Sequence, residues 1–191
     1  MHFIMTDLHT FLGSIDPLSA DLDDRLHSIT VERSFNKKFE LVRAGQLSQH
    51  VYFVRQGLLR RSYTKGERDI SAGFIRAGEL CFPIEILFHH PYGMETIQAL
   101  EDTRIQAIPY QQWLAVYRDF PAFRTIGLRL LEKFIQTHYL HYRAMWMQSA
   151  QDRYRWLHDN LPDLDRRVQA KYLASLLGFT NVTYSRLGKT K

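Results

Sequence analysis

The sequence predicts an α+β protein: an N-terminal β jelly roll, one long helix, and a small helical unit at the C-terminus. Three observations predict it. Short runs of period-two hydrophobicity, punctuated by glycine turns, extend from Glu32 to Ile108. Apolar residues then recur at three- and four-residue spacing from Pro121 to about Ala150. Last, a short apolar helical pattern stops at Gly178 and restarts after Thr180.

Ahead of the strands, Leu8, Phe11, Leu12 and Ile15, then Leu18, Leu22, Leu26 and Ile29, predict two short helices. Asp16-Pro17 breaks the run, and Ser19 or Asp21 can cap the second piece. Strands are expected at Phe39–Val42, Val51–Val54, Leu58–Tyr63, Ile70–Ile75, Thr96–Leu100 and Arg104–Ile108. Turn signals separate them at Arg43–Gln46, Gln56-Gly57, Lys65–Glu67, Arg76–Glu79 and Glu101-Asp102. Many short strands joined by such turns build a barrel or jelly roll. Tyr110 to Tyr117 reads as a short helix.

Pro121 suits the first turn of the long helix. Its stripe is read as Phe123, Gly127, Leu131, Phe134, His138, His141 and Met145, flanked by Ile126, Leu130, Ile135, Tyr142 and Trp146. That spacing is a coiled-coil seam, so Leu131, Phe134, His138, His141 and Met145 are the candidate homodimer interface. A core helix buried in its own domain would show a similar stripe. Both sides of this helix are apolar, which suits one side on the roll and one on a partner. His138 and His141 are read as interface or core residues rather than metal ligands, and no metal site is expected.

The final module starts near Ser149, with Tyr154, Trp156 and Leu157 as apolar positions. In its last helix pair, Tyr172, Leu173, Leu176 and Leu177 share one face, and Gly178 stands where a left-handed C-cap needs no Cβ. Phe179 anchors the turn and Thr180 is the N-cap of the next helix. This is the plan of a helix-turn-helix, whose second helix enters the DNA major groove. A terminal hairpin that caps a core would follow the same pattern. Candidate DNA contacts are Arg186, as a bidentate guanine or phosphate donor, and Asn181, Thr183, Tyr184 and Ser185, at base edges or phosphates. Lys171, Lys189 and Lys191 are expected on phosphates.

Charge placement agrees. Of 25 basic and 20 acidic residues, six basic and one acidic lie from Asp165 onward, so the first 164 residues are balanced and the net +5 sits in this segment. Cys81 is the single cysteine, which excludes an internal disulfide and a cysteine-cluster metal or iron–sulfur site and argues for the cytoplasm. No apolar run reaches membrane-spanning length. No nucleophile–base–acid set or phosphate loop appears, so an enzyme is not expected.

ASLLGFTNVTYSR resembles the helix-turn-helix of the Crp/Fnr transcription regulators, and AQDRYRWLHDNLPDL resembles the preceding helix of their shorter, Bacteroidetes-type members. The RAGQ turn, the YFVRQGLLR hairpin and LEDTRIQAI are similar to landmarks of the cyclic-nucleotide-binding fold. The resemblance runs from about Asp21 to the C-terminus. It implies a homodimeric regulator divided as 1–120, a cyclic-nucleotide-binding-like sensor; 121–148, a dimerisation helix; and 149–191, the helix-turn-helix domain that binds double-stranded DNA.

Two departures from that family pattern matter. The Arg-Ser pair that would hold a cyclic phosphate falls on Gly93-Met94, and the Gly-Glu pair that would cradle the ribose falls near Phe82-Pro83. An anionic phosphate needs a charged donor or a cluster of amides. Cyclic AMP is therefore not expected in the usual mode, and no cofactor is assigned. Phe82, Pro83, Ile86, Gly93, Met94 and Thr96 form a tentative pocket for an unknown, more hydrophobic effector, unless they only fill the roll interior. His89-His90 lacks an acidic or thiol partner within sequence reach. The second departure is that the sequence stops at the recognition helix without the two-stranded wing of longer members, and Gly188 weakens its last turn. Fewer phosphate contacts are expected. A ligand-binding protein with a vestigial DNA-binding module is the alternative reading.

Overall fold

The period-two runs fold as two four-stranded sheets whose inner faces meet. This computed structural model describes residues 7–46, 48–82, 92–147 and 149–189. Its strands are β1 (Val31–Phe35), β2 (Glu40–Val42), β3 (His50–Gln56), β4 (Leu58–Lys65), β5 (Arg68–Arg76), β6 (Leu80–Cys81), β7 (Thr96–Ala99) and β8 (Thr103–Pro109). One sheet has the order β1-β8-β3-β6, the other β2-β7-β4-β5, and every pairing is antiparallel. β1 escaped the sequence reading because its five residues, VERSF, are exposed or half-buried and carry no alternation.

Strand alternation divides the interior in two. Tyr52, Val54, Leu59, Ile75, Cys81, Ile97, Ala99, Ile105 and Ala107 point between the sheets and form the core of the roll. Their neighbours Val51, Phe53 and Ile108 point the other way, into a layer of helices. β3 is therefore buried on both faces. Phe53 is fully buried, and truncating such a residue to alanine costs about 3–5 kcal/mol. Gly57, at φ +102 between β3 and β4, lies so close to the Thr103 backbone that a β-carbon would press on it.

The covering layer is α1 (Leu8–Ile15), α2 (Ala20–Ile29), α3 (Tyr110–Asp119) and the first turns of α4 (Pro121–Met147). Asp7 caps α1 by accepting from the Thr10 amide, and Ser19 caps α2 through the Leu22 amide. Gln106 of β8 ties α1 to the sheet, accepting from the Leu8 amide and donating to Asp7. His9 and His27 stack at 3.5 Å, with Asp23 accepting from His9 at 2.8 Å, which clasps α1 to α2. Gly127 of α4 has a packing reason, since a β-carbon there would overlap the Tyr117 ring.

A third core forms on the outer face of the second sheet. Leu58, with Phe74 and Leu100 beside it, meets the apolar faces of α5 (Ala150–Asn160), α6 (Leu164–Arg167), α7 (Ala170–Leu176) and α8 (Asn181–Gly188). Polar contacts seal this junction. Arg167 donates twice to Glu101 at 2.8 Å, to Asp163 at 2.6 Å and to the Gly57 carbonyl at 3.0 Å. Arg60, buried on β4, forks onto Asp69, donates to Ser71 and lies 3.9 Å from the centre of the Tyr172 ring. The Ser71 amide donates to Ser175 Oγ, which in turn donates to the Asp69 carbonyl. The second sheet's edge strand β5 is thereby covered by α7 rather than left open.

Candidate nucleic-acid interface

The turn between α7 and α8 follows from three residues. Gly178 takes φ +71, its amide donates to the Ser175 carbonyl, and the Phe179 amide donates to the Ala174 carbonyl. Those two bonds are a Schellman C-cap, which only a residue without a Cβ adopts at low cost. Thr180 then caps α8 by accepting from the Thr183 amide at 3.2 Å. Arg153 of α5 holds the turn from below, donating to the Leu177 carbonyl and covering the Phe179 ring at 4.5 Å. Leu173, Ala174, Leu176 and Leu177 are buried, so the crossing of the two helices is fixed by packing.

Of the eight candidate DNA contacts, Lys191 lies outside the described residues, and the other seven do not share one fate. Asn181, Ser185 and Arg186 are exposed on α8, Lys189 is exposed at its C-cap, and Lys171 is exposed on α7, 4.8 Å from the Tyr172 ring. Tyr184 is corrected: it is only 7% exposed, and its hydroxyl donates to Asp165 at 2.7 Å. Burial and that carboxylate push its phenol well above the usual range, so it stays a neutral donor. Thr183 is half-buried, its amide and hydroxyl both engaged with Thr180. The reading placed these two by their polar atoms; the helical period turns them inward. Val182, an apolar residue, is exposed one turn before Arg186.

The candidate dimer seam shifts as well. Leu131 is exposed, but Phe134 is half-buried with its ring tilted against His138, whose Nδ1 donates to the Phe134 carbonyl. His141 stacks on Trp156 and Met145 packs against the third core, so these two belong to the intramolecular face. Burial lowers the His141 pKa, which keeps that ring neutral. The exposed apolar stripe of α4 is Leu128, Leu131, Ile135, Tyr139, Tyr142 and Trp146, the last 76% exposed. At about 100° per residue these six span an arc of roughly 80°.

The tentative effector pocket is not assembled by its described members. Phe82 packs edge-on against Tyr110 and Trp113 in the helical layer. Met94 is 66% exposed, and Gly93 is buried in a backbone pair with Gly45 and Gln46. Thr96 accepts from the Ala44 amide. Pro83 and Ile86, with Phe88 and His89-His90, lie outside the described residues. Between Thr96 and the Gly93-Met94 pair, the Glu95 carboxylate accepts from Arg61 at 2.6 Å. Elsewhere, Arg33, Phe35, Phe39, Glu40, Leu41, His50 and Tyr52 line a cavity of about 140 Å³ at one mouth of the roll. Sequence order gave no hint of it, because three strands contribute.

Residues 32–120 match the cyclic nucleotide-binding domain family. The catabolite activator protein of Thermus thermophilus has the same fold, with 23% identity, a TM-score of 0.57, and 94% of this chain and 85% of that one covered. A CooA variant from Carboxydothermus hydrogenoformans reaches a TM-score of 0.71 at 18% identity over 98% and 85% of the two chains. A Crp/Fnr-family regulator from Eubacterium rectale gives 0.70 at 16% identity over 95% and 87%. No curated protein matches the sequence.

At the positions where the resemblance would set a phosphate-holding pair, the Gly93 amide is bonded to the Gln46 carbonyl and Met94 is exposed. The adjacent Glu95 carboxylate is held in an ion pair with Arg61. No described helix is long and apolar enough to cross a membrane.

Proposed function

We propose that this chain is a Crp/Fnr-type transcription regulator, of the short Bacteroidetes-type form, that binds double-stranded DNA as a homodimer. The observation that carries the reading is the outer face of α8. A core-anchored helix with a capped N-terminus presents Asn181, Ser185, Arg186 and Lys189 to solvent, at the end of the chain that holds the excess positive charge. Such a helix suits the major groove, with Arg186 at a guanine and Lys171 and Lys189 at phosphates. Residues 1–120 serve as the sensor, 121–148 as the dimerisation helix and 149–191 as the helix-turn-helix domain.

The exposed stripe on α4 supports pairing with a second copy, since six large apolar side chains on one helix face are left without intramolecular cover. Two α8 helices about 34 Å apart would then meet successive major grooves. The sensor does not take cyclic AMP in the usual mode. The absence of a cationic side chain at 93–94 supports that. Its effector, if it has one, is a different small molecule.

The test is fluorescence anisotropy of the purified protein on duplex from its own upstream region, at two salt concentrations, beside an unrelated duplex. Salt-dependent binding that prefers its own DNA is the expected result. Equal, weak binding to both would favour a ligand-binding protein with a vestigial DNA module. Isothermal titration with cyclic AMP should give no micromolar binding.

A further inference from the structure

Val182 is the most exposed large apolar side chain among the described residues, at 79%. It stands in the first turn of α8, on the side away from the buried Tyr184. Val182, Ser185, Arg186 and Lys189 fall at i, i+3, i+4 and i+7, so they share one face. Nothing in the fold asks for valine there. Its β-branch lowers helix propensity, and its isopropyl group contributes to none of the three cores.

Resting on the regulator reading above, we propose that Val182 determines operator specificity by packing on the methyl group of a thymine in each half-site. The N-terminal residues of a recognition helix are those that meet base edges. Of the groups displayed in the major groove, only the thymine C5-methyl is apolar. Valine has no side-chain donor or acceptor, so against a cytosine amino group or a guanine oxygen it would strip water and return no hydrogen bond. Its neighbour on the same face, Arg186, reads polar atoms and so cannot supply this selection. The operator half-site should therefore hold one position where thymine is required for its methyl group rather than for its hydrogen-bonding pattern.

The experiment begins with selection of bound duplexes from a random-sequence library, using the full-length protein. In the enriched duplex each thymine is then replaced singly by uracil, which removes the methyl group and leaves the pairing edge intact. The wild-type protein should lose about fourfold in affinity at one position per half-site, the factor carried by one buried methyl group. Val182→Ala should bind the thymine and uracil duplexes equally at that position, while keeping its salt dependence and its melting temperature. The valine assignment is overturned if wild type is indifferent to uracil everywhere, or if Val182→Ala keeps the full discrimination. A library from which no sequence is enriched would instead overturn the regulator reading, and this inference with it.

Discussion

Replacing Arg167 with alanine tests how firmly the C-terminal helices are seated on the roll. The guanidinium makes four hydrogen bonds: two to Glu101, one to Asp163 and one to the Gly57 carbonyl. Its side chain is 28% exposed, and those of Glu101 and Asp163 are 32% and 40% exposed. An exposed pair contributes at most about 1 kcal/mol and a fully buried one costs about 3–5 kcal/mol to break. This cluster lies between those limits, because both carboxylates can rehydrate once the arginine is gone. At about 0.5 kcal/mol per bond the loss is about 2 kcal/mol. For a chain of this size that lowers the melting temperature by about 4–8 °C. Urea unfolding measures the energy, and hydrogen exchange locates it. The amides of α7 and α8 should exchange faster while those of β3 and β8 hold. A loss below about 0.5 kcal/mol with unchanged exchange in α7 would refute the idea that this arginine holds the unit down.

Further predictions rest on single residues. Gly178→Ala should cost about 1 kcal/mol, since its φ of +71 is unfavourable for any residue with a Cβ although the nearest atom, Arg153 Nη1, leaves room at 3.5 Å; thermal unfolding checks this. Arg186→Ala should weaken operator binding by about 1–3 kcal/mol, read by anisotropy, whereas Tyr184→Phe should lower stability by about 1 kcal/mol through the lost bond to Asp165. Ile135→Glu, at the centre of the α4 stripe, should convert a dimer to monomer in light scattering, and a persistent dimer would exclude this face. Burial pushes His141 and His50 below the ordinary imidazole range, helped by Arg33 at His50 and opposed at His141 by a hydrogen bond with the Leu176 backbone. The unfolded chain then takes up protons first as pH falls, so their contribution is complete above about 6.5 and is lost below it. Denaturant titrations at pH 7.5 and 5.5 should differ in that direction, and His141→Phe should narrow the gap.

What the sequence disclosed was local. Gly178, Thr180 and the spacing of Leu173 and Leu176 foretold a capped turn between two helices, because each acts within a few residues. The strands at Val51 and Leu58 were visible for the same reason. The exposed apolar stripe of the long helix differs in period from the seam that the sequence suggests. Phe123, Gly127, Leu131, Phe134, His138, His141 and Met145 follow a repeat of 3.5, which drifts by about 20° per heptad on a straight helix. The exposed set from Leu128 to Trp146 follows 3.6 instead. Tyr184 and Thr183 were chosen for their hydroxyls, and only three-dimensional packing revealed that Asp165 and Thr180 occupy them. Nothing local joins Arg60 to Tyr172, or Arg167 to Glu101, across so many residues; such pairs depend on the topology itself.

The third core has a consequence for how the protein is made. Leu58, Phe74 and Leu100 are supplied by the roll, while Leu157, Leu164, Leu173 and Leu177 arrive later in synthesis. As the ribosome delivers the chain from its N-terminus, the second sheet can form first and offer a ready apolar platform. The last helices then need only dock, helped by the mostly local contacts of α5 to α8. Severed from that platform, residues 149–189 would carry their leucines without the surface those side chains were shaped to meet, and would be prey to proteases rather than a portable module.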